Sequence, residues 1–87
     1  MNRQAASDQI RTHIRGQALL GRDDVTLDDN THLTESGILD SFGVVEMIAY
    51  VEESFEVEFD PNDLVTENLG SIANIVDFLC KKHALSE

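Results

Sequence analysis

Hydrophobic positions recur at helical spacing in three stretches of the chain. The clearest is Val44, Met47, Val51 and Phe55, with Ile48 at its edge, which stack on one side of a helix read at about 100° per residue. Asp40 is a good N-cap residue after Gly37-Ile38-Leu39, so this helix starts with Ser41 at or beside its first position. Gly43, Glu46, Tyr50 and Glu53 fall roughly opposite the apolar stripe and predict a solvent face. Between the two faces, on the side of Ser41, run Val45, Ala49 and Glu52, with Phe42 beside them and Glu46 and Glu53 beyond. The pattern thus predicts a core face, a solvent face and a small apolar strip edged by carboxylates that leads away from one serine.

Two further helices flank this one. Residues 1–6 are polar and expected to fray, and Ser7 or Asp8 can cap a first helix in which Ile10, Ile14 and Ala18 recur every four residues before Leu20-Gly21. Gly16 in its interior costs about 1 kcal/mol relative to alanine. Arg11 and Arg15 share a face of this helix, with His13 beside them expected in solvent. Ser71 can cap a last helix with Ile72, Ile75, Val76 and Leu79 on one side, Phe78 and Cys80 beside them, and Lys81, Lys82 and His83 suited to its negative C-terminal end. Cys80 is expected to be a core filler.

The first connection, Arg22 to Leu39, is long, polar and rich in turn residues, and a loop of that length in a small domain has to be pinned by its own apolar side chains. Leu27, Leu33 and Ile38 are expected to dock on the helices. The second connection alternates polar and apolar residues at Glu56-Val57-Glu58-Phe59, but it is too short and partnerless for a strand and is expected to bury Val57 and Phe59 as an extended link. Asp60-Pro61 then opens a short helix of about one turn, with Leu64 and Val65 as its apolar contacts. The expected fold is all-α: a small bundle of three main helices plus one short helix, with a long first loop.

Composition narrows this without changing it. A chain of 87 residues holds one domain, 1–87, expected to be ordered over about 7–83, with a core of modest size and no room for the deep cleft of an enzyme. The single cysteine excludes an internal disulfide, and no apolar run reaches the length of a membrane span or a signal-peptide core, so a reduced cytoplasmic location is the default. Charge says more. Seventeen acidic against six basic residues give a formal net charge of −11, and no lysine or arginine occurs between Asp23 and Cys80. Nucleic acid and anionic membranes would be repelled, whereas partners lined with arginine and lysine would be attracted. Asp23-Asp24 and Asp28-Asp29-Asn30 lack the alternating ligands, central glycine and closing glutamate of a calcium loop, so no metal site is expected.

Ser41 is the residue with candidate chemistry, and it has two readings. A serine at a helix start is commonly a local cap; alternatively, its hydroxyl can carry an esterified phosphate, which free N–H groups and the helix dipole favour. Catalysis is a poor third. Ser41 with His32 or His83 could be nominated as nucleophile and base, but there is no strained nucleophile elbow and little room for a pocket.

Gly37-Ile38-Leu39-Asp40-Ser41-Phe42, followed by Val45-Glu46 and Glu52-Glu53-Ser54-Phe55, resembles the phosphopantetheine-attachment segment of acyl and peptidyl carrier proteins, and the likeness extends in hydrophobic spacing from Ile10 to about Leu79. The resemblance implies the acyl carrier protein-like fold, phosphopantetheine attached covalently to Ser41 from coenzyme A, and Asp40 helping to present Ser41 to a phosphopantetheinyl transferase that uses Mg²⁺. It implies a non-catalytic, monomeric carrier that holds an acyl or aminoacyl group as a thioester for polyketide, nonribosomal peptide or fatty-acid-type biosynthesis. It also implies partners that load the arm, an activating ligase or acyltransferase, and a downstream synthase or transferase with a basic docking surface, meeting Phe42, Val45, Glu46, Ala49, Glu52 and Glu53. Three positions depart from the family pattern. Phe42 stands where leucine is usual, Gly43 where a larger or charged residue often sits, and Leu39 where fatty-acid carriers commonly have a small one. The segment looks nearer to discrete carriers of amino acids, such as the D-alanyl type, or of specialised metabolites. The alternative to a carrier is an unmodified acidic helical interaction module, which would tolerate the loss of Ser41.

Overall fold

The computed structural model describes residues 2–22, 24–82 and 85. Its helices are α1 (Arg3–Ala18), α2 (Ser41–Phe55), the one-turn α3 (Thr66–Leu69) and α4 (Ile72–Lys81), with a 3₁₀ turn at Pro61–Asp63. Among the described residues there is no strand; the link expected over Glu56 to Phe59 is irregular, and its first residue, Glu56, is left-handed rather than extended. α1 packs against both α2 and α4, and α3 lies against α4.

α1 begins earlier than the sequence suggested. Its cap is Asn2, whose side-chain oxygen accepts the Ala5 N–H at 2.8 Å, so residues 3–6 are helical rather than frayed. The reason is burial: Ala6 extends the Ile10 and Ile14 stripe back by one turn and is fully buried. Ser7, once released from capping, is buried and donates its hydroxyl to Asp29 at 2.6 Å.

The long first loop is pinned at several points. Leu27 and Leu33 are buried as expected, and Ile38 packs partly against the core, but Leu39 is buried more deeply than Ile38. Backbone bonds close it onto the far end of the chain: Leu33 N–H donates to Gly70 at 2.9 Å and Ala73 N–H to Asp29 at 2.9 Å. Arg11 and Arg15 supply the other side, donating to the carbonyls of Leu27 (3.1 Å) and Val25 (2.9 Å). Arg11 also pairs with Asp8 and Asp29. Asp28 is used within the loop, its Oδ1 accepting from the Asn30 amide and the Thr31 hydroxyl at 3.0 Å each.

Three side chains sit elsewhere than the pattern indicated. His13 is half-buried, its ring stacked on Tyr50 with centroids 3.9 Å apart. Leu64 and Val65 remain 47% and 45% exposed, because the chain after Asp63 re-forms as α3, whose Leu69 makes the core contact instead. Cys80 is half-buried at the edge of α4 and accepts from Arg3 at 3.0 Å, so it borders the core rather than filling it. Ser71 does cap α4, accepting from Asn74 N–H at 3.2 Å, and Phe59 stacks on Phe78 with centroids 4.6 Å apart. Lys82 lies over the Phe78 ring and 3.5 Å from Asp63; Asp23 and His83 lie outside the described residues.

Candidate functional site

The start of α2 bears on the two readings of Ser41. Asp40 takes the capping role, with extended backbone (φ −95°, ψ −174°) and its Oδ1 accepting the Gly43 N–H at 2.8 Å. Ser41 is the first helical residue, exposed, and its hydroxyl makes no hydrogen bond among the described residues. A serine whose neighbour already caps the helix has no local duty. Its oxygen stands in solvent beside the first-turn amides, where the dipole favours an anionic ester.

Gly37 and Leu39 deliver the chain to that point. Gly37 has φ 84°, a turn that a side chain would strain, and Leu39 N–H then donates to the Leu33 carbonyl at 2.8 Å. Leu39 is 3% exposed and packs beneath the helix start. There it meets Gly43: a Cβ on Gly43 would lie 3.1 Å from Leu39 Cδ2 and 3.4 Å from the capping oxygen of Asp40. Large Leu39 and bare Gly43, two of the three departures from the family pattern, are therefore one packing solution in which the bulk of residue 39 occupies the space left at residue 43.

The helix buries the face drawn from the pattern over Met47, Val51 and Phe55, but at its start the buried position is Gly43 rather than Val44. Gly43, Met47, Val51 and Phe55 form the fully buried row, while Val44 and Ile48 are half-buried. Of the four residues assigned to solvent only Glu53 is exposed. Tyr50 and Glu46 face α1, Tyr50 through its stack on His13 and Glu46 by accepting Gln17 Nε2 at 2.7 Å. The strip of Phe42 (71% exposed), Val45 (62% exposed) and Ala49 lies open to solvent. Glu52 is half-buried beside it and accepts the Phe59 N–H at 2.9 Å, tying the link to α2. Among the described residues Asp40, Glu46, Glu52 and Glu53 form no ion pair, whereas Arg3, Arg11, Arg22 and Lys82 pair with acids elsewhere.

Ser41 itself lines an open hollow of about 490 Å³ with Thr34, Leu39, Asp40 and Val44, and two smaller hollows lie near it. One, of about 350 Å³, lies between the end of α1, the loop and the start of α2, lined by Gln17, Ala18, Ile38, Asp40, Phe42 and Glu46 among others. The other, about 170 Å³ and more apolar, lies between α2 and α3 and is lined by Val44, Leu64, Val65 and Leu69. Neither combines a nucleophile, a base and an orienting group.

A family model for the phosphopantetheine attachment site matches residues 8–79. An acyl carrier protein of Guillardia theta is 32% identical over 84 residues, which is 97% of this chain and 99% of that protein. A chain in a solved structure described as "Crystal structure of FAD-dependent dehydrogenase" superposes with a TM-score of 0.70 at 30% identity, covering 80% of this chain and 97% of that one.

Proposed function

The chain belongs to the phosphopantetheine-attachment family of acyl carrier proteins, and from that premise we propose that Ser41 is the attachment residue, that Asp40 presents it, and that the protein carries an acyl or aminoacyl thioester between biosynthetic enzymes. Members of this family are non-catalytic carriers with a covalent phosphopantetheine group. The observation that carries the assignment is the exposed Ser41 hydroxyl, without a hydrogen bond among the described residues, next to an Asp40 that already caps the helix.

Attachment needs nothing from this chain but that hydroxyl and its setting. Ser41 Oγ attacks the phosphorus nearest the pantetheine in coenzyme A; a new P–O bond forms, the pyrophosphate P–O bond breaks, adenosine bisphosphate leaves with the electron pair, and the hydroxyl proton passes to a base on the transferase. Asp40, by holding Gly43 N–H, keeps the first turn formed and the hydroxyl outward. Phosphopantetheine, once attached, supplies the terminal thiol that holds cargo as a thioester. Tethering then raises the effective concentration of cargo at each enzyme that docks the carrier. Phe42, Val45 and Ala49, with Glu53 at their edge and Glu46 and Glu52 flanking, form the proposed docking strip for an Arg- and Lys-lined partner.

The partner classes are a phosphopantetheinyl transferase, a ligase or acyltransferase that loads the arm, and a downstream synthase or transferase. The likeness to a chain in a structure described as an FAD-dependent dehydrogenase supports adding a flavin-dependent redox enzyme. The test is intact-protein mass after incubation with coenzyme A, Mg²⁺ and a promiscuous transferase. One phosphopantetheinyl group should add, Ser41→Ala should add none, and its stability should stay within about 0.5 kcal/mol because the side chain is exposed and makes no hydrogen bond among the described residues. Addition at another serine, or none with several transferases, would favour the unmodified interaction module.

A further inference from the structure

The hollow between α1 and α2 points to the class of cargo, and this step rests on the carrier reading of Ser41. We propose that it is a subsite for the tethered cargo, and that it takes the ammonium of an aminoacyl group rather than a neutral acyl chain. Three observations carry this. The lining is acceptor-rich: Asp40 and Glu46 contribute carboxylates that form no ion pair among the described residues, and Gln17 contributes an amide. Gln17 gives one Nε2 hydrogen to Glu46, and its Oε1 is buried without a hydrogen-bond partner. No lysine, arginine or histidine lines the hollow. An ammonium brings three donors and no acceptor, which is the complement of such a wall.

The second observation is Phe42. It lines the same hollow and is 71% exposed, so its ring can offer a face to a cation as well as an apolar wall. Ile38 and Ala18 complete an apolar side for the remainder of the cargo. The third is placement. Glu46 is five residues beyond Ser41, roughly 7.5 Å along the helix axis, and Asp40 adjoins Ser41 directly. The cargo therefore has to fold back beside its own attachment point. Tethering supplies an effective concentration of roughly millimolar, so a site too weak to hold a free amino acid is populated when the amino acid is on the arm. A long neutral chain finds better surroundings in the apolar hollow between α2 and α3.

The test loads the full-length apo protein from two coenzyme A derivatives with amide-linked groups, one leucyl and one isocaproyl, which differ only by the amino group. Intact mass verifies loading, and two-dimensional amide spectra read the site. The leucyl form should shift the amides of Ala18, Gly43 and Glu46 severalfold more than the isocaproyl form. Glu46→Gln should remove most of that difference, Phe42→Leu should reduce it, and added salt should shrink it. Superimposable spectra at those amides in two fully loaded samples would overturn the inference and leave the carrier assignment standing. Equal shifts of both forms at Thr34, Val44 and Leu69 would likewise overturn it by placing the cargo between α2 and α3. Loading of neither derivative at Ser41 would overturn the carrier reading and this subsite with it.

Discussion

Leu39 and Gly43 exchange bulk across a gap of about one methyl group, and that exchange can be measured. Gly43→Ala gains roughly 0.5 to 1 kcal/mol of helix propensity but sets a Cβ 3.1 Å from Leu39 Cδ2 and 3.4 Å from the capping Asp40 oxygen. The expected net effect is neutral to unfavourable. Leu39→Ala alone should cost about 2 to 4 kcal/mol as a core truncation. In that background Gly43→Ala should become stabilising by about 1 kcal/mol, giving a favourable coupling in a denaturant double-mutant cycle. Additivity would mean that the two positions do not share the space. A second residue-scale prediction concerns Glu56, which ends α2 in left-handed conformation (φ 55°, ψ 47°) without being glycine. That backbone costs roughly 1 to 2 kcal/mol for a residue with a Cβ. Glu56→Gly should therefore raise the melting temperature by a few degrees, the gain being trimmed by the larger entropy of glycine in the unfolded chain. A fall in melting temperature would show that Glu56 makes a compensating contribution.

Helices with strong periodicity were legible in the sequence, and their ends and neighbours were less so. The stripe that ends at Phe55 and the Ser71 cap emerge where the pattern puts them, because both depend on near-neighbour spacing and local capping. The start of α1 does not, because an Asn2 cap followed by Arg-Gln-Ala-Ala looks polar until Ala6 is seen as the first member of the Ile10 and Ile14 row. Likewise the α1-facing side of α2 is invisible to periodicity: Glu46 and Tyr50 are polar at one end, and only their pairing with Gln17 and His13 brings them in. The motif around Ser41 was legible because it is local, whereas the Asp40 bond that bears on the choice between cap and attachment is visible only in the structure. The first loop shows the same dependence on distant partners, since Arg11 and Arg15 of α1 hold its carbonyls. Arg11→Met keeps the aliphatic stem but releases Leu27 and Asp29, and should cost about 1 to 3 kcal/mol. Hydrogen exchange should quicken at Ala73 N–H, which is bonded to the Asp29 carbonyl, more than at Val51 in α2. Unchanged protection at Ala73 would mean that the loop is held by its apolar side chains alone.

Charge is segregated over the molecule as a whole, and the segregation decides how docking should be probed. Four of the six cations pair with acids away from the start of α2 and its exposed strip, so the negative field of Asp40, Glu46, Glu52 and Glu53 is uncompensated among the described residues. On the docking reading proposed above, such a field would speed encounter with a basic surface and the apolar strip would supply the contact once it is reached. Not every acid there is a clean probe. Reversing Glu46 would break its bond to Gln17, and reversing Glu52 would free the Phe59 amide, so both would mix docking with structure. Glu53 is exposed and bonded to nothing described, and Val45 is 62% exposed. We expect Glu53→Lys to slow phosphopantetheinylation severalfold at low ionic strength, with the deficit closing as salt shortens the Debye length toward about 8 Å near physiological strength. Val45→Asp should slow the reaction at every salt concentration, because it removes apolar contact rather than long-range attraction. Asp24→Lys, on the exposed first loop, gives up only a solvent-exposed ion pair with Arg22, serves as the control reversal and should change the rate little. If Asp24→Lys proves the slower variant and Glu53→Lys behaves as the parent, partners approach over the first loop and the α2 strip is not the docking face.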